Sequence, residues 1–133
     1  MLRLWRYFWP LPVTVIGAVL ALTVRVCGGR WSFRKGVLET CGPAARVMLR
    51  LHPVKGVIAI ALGHVVIARD DLCLTQTNAH EREHVRQFER WGLLFPFVYA
   101  AESIYRWLRS ENPYRDNRFE RAANEAAVLD KKN

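Results

Sequence analysis

Five consecutive residues, His80-Glu81-Arg82-Glu83-His84, place two imidazoles and two carboxylates at a spacing that suits a metal ion. Residues four apart on an α-helix differ by about 40° around the axis, so both imidazoles leave the same face. Two neutral imidazoles about 6 Å apart can hold one tetrahedral Zn²⁺ and leave positions for a third ligand and a water. The ion draws the pKa of that water towards ~7, and a neighbouring carboxylate can take its proton. The plainer alternative is a charged helix face whose His, Glu and Arg side chains pair at i, i+4. The metal reading is preferred because the pattern sits where a helix is expected.

Two carboxylates compete for the role of base. The run reads as H-E-x-x-H with Glu81 and equally as H-x-x-E-H with Glu83. At about 100° per residue, each Glu lies about 80° from the centre of the His pair, one on either side, so helical geometry alone does not choose. The neighbours do. Arg82, Arg86 and Arg90 form a stripe on roughly the opposite face, where an i, i+3 pair with Arg86 would occupy Glu83. Glu81 has Val85 at i+4 and is freer to serve the water, so it is the expected base. A third protein ligand has to come from a later segment, and on the residues alone Glu102, Glu111, Asp116, Glu120 and Glu125 all qualify.

The elements that must position these groups follow from local signals. An early start near Asp71 or Thr75 is preferred for the motif helix, because the rival cap, Asn78 with Glu81, would occupy Glu81. Trp91 ends the helix with Gly92 at C′. Upstream, residues 31–40 read as a β-hairpin turning at Arg34-Lys35-Gly36, and residues 44–51 as a short helix. Residues 57–62 and 64–68 are β-rich runs split by Gly63. His64, in the second run, is a further residue that could approach the site. Downstream, Pro96 opens a helix to about Arg109 whose apolar face is Phe97, Ala100, Ala101, Ile104 and Leu108. Asn117 can cap a last helix to about Asp130, with Phe119, Ala122, Ala123 and Ala126 inward.

Composition limits the possible partners. The chain has 133 residues, enough for one core, and a net charge of +8. Residues 1–68 carry nine Arg/Lys against Glu39 alone, whereas residues 69–133 carry eleven of each sign. The basic excess lies beside the most apolar stretch, the eighteen uncharged residues 7–24, a combination that suits an anionic membrane surface. Pro10 and Pro12 delay a helix start, so residues 11–27 would span about 25 Å, short of a ~30 Å hydrocarbon core. This segment could span, lie flat with Trp5, Tyr7, Phe8 and Trp9 at headgroup level, or pack on the domain. No helix-turn-helix, zinc-knuckle or aromatic RNA-binding signature accompanies the basic residues, so nucleic acid is not an expected partner. Cys27, Cys41 and Cys73 form no C-x-x-C and no even set, which suits free thiols in a reducing compartment. The expected location is therefore a membrane, with the catalytic domain on its cytoplasmic side. Nothing in the sequence sets the oligomeric state.

His80-Glu81-x-x-His84-x-x-Gln87, followed by Tyr114-x-x-Asn117-x-Phe119-Glu120-x-x-Ala123, resembles the small gluzincin-type H-E-x-x-H metallopeptidases. It is similar, more narrowly, to short bacterial H-E-x-x-H proteins with an apolar N-terminus. The resemblance covers about residues 75–127. It implies an α+β, minimal zincin-like domain over residues 28–133, in which a small sheet packs on the motif helix and two helices follow, with an apolar N-terminal helix in residues 1–27. It implies one Zn²⁺ held by His80, His84 and Glu120, with Glu81 as general base and a peptide or protein substrate. Gln87 and Tyr114 could then polarise the scissile carbonyl or hold the oxyanion. An edge strand before the motif helix, with residues 64–68 the expected one, would bind extended peptide by strand addition. Many gluzincins carry a second acid shortly after the ligand Glu; this chain has Ala122, Ala123 and Asn124 there. The competing function is a catalytically inactive, membrane-associated metal-binding protein that uses the same site for structure or sensing.

Overall fold

The structure, a computed structural model, describes residues 2–133. It is α+β, with a four-stranded mixed sheet between helices. The elements run α1 (Leu2–Phe8), α2 (Leu11–Val26), β1 (Arg30–Arg34), β2 (Val37–Cys41), α3 (Pro43–Arg50), β3 (Ala59–Leu62), β4 (Val65–Ala68), α4 (Asp71–Trp91), a single 3₁₀ turn (Gly92–Leu94), α5 (Phe95–Leu108) and α6 (Arg118–Lys132).

The strand order is β1-β2-β4-β3. β1 and β2 form the expected antiparallel hairpin, and β3 and β4 form a second one around Gly63. The two hairpins join by parallel pairing of β2 with β4, Leu38 opposite Val65 and Cys41 opposite Ala68. β4 is therefore the inner strand of the second hairpin. Its run Val65-Val66-Ile67-Ala68 is buried throughout because helices cover both sides of it. Val65 and Ile67 pack with Ala21 and Val24 of α2 and Ala45 of α3. Val66 packs with Val85 of α4, and Ala68 with Cys73 of the same helix. The expected edge strand, residues 64–68, is thus paired on both sides, and the edge belongs to β3.

The N-terminal apolar segment is two helices. Pro10 has no N–H to continue α1 and stands directly before α2, whose early positions include Pro12. α2 packs on the sheet through Val13, Gly17, Ala21 and Val24, and so shares the core of the domain that follows it. At Gly17 helix and hairpin approach so closely that a Cβ would sit 2.9 Å from the Leu62 carbonyl oxygen. Among the described residues, no helix is long and apolar enough to cross a membrane.

Asp70, one residue before the expected cap, caps α4 by accepting a hydrogen bond from the Cys73 N–H (2.8 Å). Asn78, the rival cap, lies mid-helix and donates to Glu39 instead. α4 ends at Trp91, and Gly92 takes a positive φ of 56°. A methyl group at Gly92 would run into the Trp9 indole, so the α1–α2 junction sits against the end of α4.

α5 is turned over relative to its hydrophobic pattern. Phe97, Ile104 and Leu108 are exposed, and Phe95 is its buried residue. The inner side carries Tyr99, Glu102, Ser103 and Arg106, which bond to the following loop and α6. Asn117 caps α6 as expected, accepting from the Phe119 N–H (2.9 Å).

Candidate metal centre

α4 and α6 lie side by side, and an aromatic cluster sets their separation. Phe119 of α6 meets Phe95 and Trp91 edge-on, and Phe88 of α4 meets Phe95 the same way. The residue after Phe119 is therefore carried to the motif face of α4. Asn117, fully buried, braces this arrangement: its side-chain amide donates to the Tyr99 carbonyl (3.2 Å) and to Ser103 Oγ (2.8 Å), tying the start of α6 to α5.

The result is a cluster of His80, His84 and Glu120 whose ligand atoms lie within 4.8 Å of one another, an arrangement that could hold a metal ion. His80 Nε2 is 3.1 Å from His84 Nε2 and 3.2 Å from Glu120 Oε2; His84 Nε2 is 3.4 Å from Glu120 Oε1. The other candidate acids are elsewhere. Glu102 and Glu111 pair with Arg106, Asp116 accepts from the Asn112 N–H, and Glu125 is exposed.

Hydrogen bonds around His84 determine which of its nitrogens carries the lone pair. Gln87 donates through Nε2 to the Phe119 carbonyl (3.0 Å), so its Oε1 must face His84. That oxygen is 2.8 Å from His84 Nδ1 and can only accept, which puts the proton on Nδ1 and leaves the Nε2 lone pair facing His80 and Glu120. Gln87 is buried and occupied at both ends, so it orients the His84 ring and is not free to meet a substrate carbonyl. Replacing it by Met, which keeps the length and loses the acceptor, is expected to weaken metal binding about 10–100-fold in a chelator-competition titration with the fold intact. Unchanged affinity would remove Gln87 from the site.

The donor set fits a cation on two counts. Two ring nitrogens and a carboxylate converge on one point. Glu120 Oε2, although within ion-pair distance of His80, makes no hydrogen bond of acceptable geometry there. Glu81 Oε2 is buried and also without a hydrogen-bond partner. Burial pushes the Glu120 carboxyl up, but the two imidazoles and the Tyr99 hydroxyl outweigh burial and hold it well below the usual carboxylate range. Burial by itself favours neutral His84, yet the carboxylates of Glu120 and Glu81 carry it above its ordinary value. A metal ion bound at this cluster would therefore compete with a proton for the same lone pair.

Glu81 lies in the wall of the same cleft, only 4 % exposed. Burial raises its carboxyl above the ordinary range, against the opposing pull of His84 and His80. Glu83 makes the i, i+3 pair with Arg86 (2.6 Å). The cleft has a volume of about 320 Å³ and takes its walls from the β3 edge, α4, and Phe95 and Tyr99 of α5. Tyr114 stands at its rim, its hydroxyl pushed up to about 12 by burial and by the charges of Glu120 and Glu81. His64 is outside it: its Nε2 pairs with Glu89 (3.0 Å) and its ring stacks on Tyr7.

Sequence reasoning missed Tyr99, which donates to Glu120 Oε1 at 2.7 Å. The signal was present as a polar row, Tyr99, Glu102, Ser103 and Arg106, at helical spacing on an otherwise apolar helix. It also missed His52, which lines the cleft from the loop before β3. Comparison of the chain with protein-family models, with curated proteins and with solved structures finds no match.

Proposed function

We propose that this chain is a zinc-dependent metallopeptidase of gluzincin type, hydrolysing peptide bonds with Glu81 as general base. The observation that carries the reading is the meeting of His80, His84 and Glu120 within 4.8 Å beside the buried, unpartnered Glu81 oxygen. Zinc suits two imidazoles and one carboxylate with a position left open. When bound by these three residues it supplies Lewis-acid polarisation of water and of a carbonyl.

The residues of the chain do the rest. Glu81, buried in the cleft wall, takes a proton from the attacking water and returns it to the leaving amine. Tyr99 and Gln87 fix Glu120 and His84 so that their ligand atoms stay converged. Tyr114, whose hydroxyl keeps its proton at neutral pH, is available to donate to the oxyanion that forms from the carbonyl. An extended peptide would add to the unpaired side of β3, which brings a backbone carbonyl along the cleft wall past His80 and Glu81. The apolar lining from Val57, Phe88 and Phe95 suits a large apolar side chain on that peptide.

The test is hydrolysis of a fluorogenic peptide library by the purified full chain. Activity should disappear with a chelator and return on adding stoichiometric zinc. Zinc-loaded, folded protein that cleaves none of the library would instead favour the catalytically inactive metal-binding alternative.

A further inference from the structure

We propose that an anionic lipid bilayer surface covers the exposed apolar faces of α1 and α2, with lipid phosphates seated in the basic groove between α1 and α4. The argument is independent of the metal centre. On α2 the inward residues Val13, Gly17, Ala21 and Val24 occupy one side of the helix. Leu11, Val15, Val19, Leu22 and Val26, spaced four, four, three and four apart, form a stripe on the other side, and all five are exposed. α1 extends this surface with Leu4, Trp5 and Phe8, exposed at 76 %, 56 % and 69 %. A helix apolar on both faces, one of them uncovered, leaves an apolar surface of the kind that marks an interaction site.

The junction adds to it. Trp9 abuts Gly92, so the α1–α2 junction meets the 3₁₀ turn, where Leu93 and Leu94 are exposed. Amphipathic helices with Trp and Phe on the apolar side and Arg beside it lie in the interface plane rather than across the membrane. α2, with 16 residues, is about 24 Å long, which fits lying in the interface and falls short of crossing.

Charge decides the occupant. Beside α1 a groove of about 570 Å³ is lined by Arg6, Lys35, Arg82, Arg86, Glu89 and Arg90. Its one acid, Glu89, is held by His64, and Arg82 is held by Glu39. Arg86 reaches Glu83, and Arg6, Lys35 and Arg90 have no pairing acid in the groove itself. Headgroup phosphates complement that set. A second copy docking face to face would bring the same cations together.

Flotation of the full chain with vesicles tests this. Binding is expected to phosphatidylcholine vesicles containing phosphatidylglycerol and to fall as salt rises. The triple variant Arg6→Gln, Arg86→Gln, Arg90→Gln should bind on the order of a hundredfold more weakly. In the wild type, lipids brominated on their acyl chains should quench tryptophan fluorescence, and Trp5→Phe should reduce the effect. Unchanged binding by the triple variant, absence of quenching, or failure to float would overturn the proposal. A dimer in solution that Val15→Asn with Val19→Asn dissociates, in a chain that does not float, would assign the face to a second copy.

Discussion

Glu81→Gln is expected to lower peptide hydrolysis by about 10²–10⁴-fold while bound metal stays at the wild-type level. The substitution keeps the shape of the side chain and removes its capacity to take a proton. Glu81 is not one of the three converging ligands, so metal retention separates loss of the base from loss of the centre. The fold should hold as well, because a buried carboxylate facing Glu120 becomes a neutral amide. Glu83→Gln is the matched control. Its target is paired with Arg86 away from the cleft, and most activity should survive. Parallel turnover and metal assays on the two variants decide the assignment. The opposite ranking would make Glu83 the base and give the chain the inverted H-x-x-E-H mechanism.

Glu120→Ala is expected to cost more than ~100-fold in metal affinity, beyond the upper end of what losing an outer hydrogen-bond partner costs. Glu120 is compared with two other acids. Glu102 sits in an ion pair with Arg106, and Glu125 is exposed, so Ala at either should leave affinity near wild type. Glu120 alone of the three shares the cluster with His80 and His84. Its removal also strands the Tyr99 hydroxyl, which donates to it. Competition against a fluorescent chelator measures all three variants, and a larger loss in Glu102→Ala or Glu125→Ala would contradict the ligand set.

The parts of this arrangement that were readable in advance depend on neighbours along the chain. The i, i+4 spacing of His80 and His84, the Glu83–Arg86 pair, Gly92 at the helix end and the Asn117 cap all obey rules of one helix. The parts that were not readable depend on segments meeting from a distance. The parallel pairing of β2 with β4 makes β4 an inner strand and transfers the free edge to β3, and nothing local in residues 57–68 distinguishes the two. Gln87 looked able to face a substrate until the Phe119 carbonyl, 32 positions away, fixed its amide. α5 was misread for a physical reason. An apolar stripe normally marks the buried side, but here the polar row of Tyr99, Glu102, Ser103 and Arg106 faces α6 and leaves Phe97, Ile104 and Leu108 outside.

Elemental analysis of the purified full chain, alongside His84→Ala, addresses the metal centre without any assumption about substrate. About one zinc per wild-type chain is expected, with close to none in His84→Ala, which removes the Nε2 lone pair that the Gln87–Nδ1 bond orients. A folded wild-type chain that carries no zinc after exposure to it, or a His84→Ala variant that keeps the full complement, would contradict a centre built from His80, His84 and Glu120.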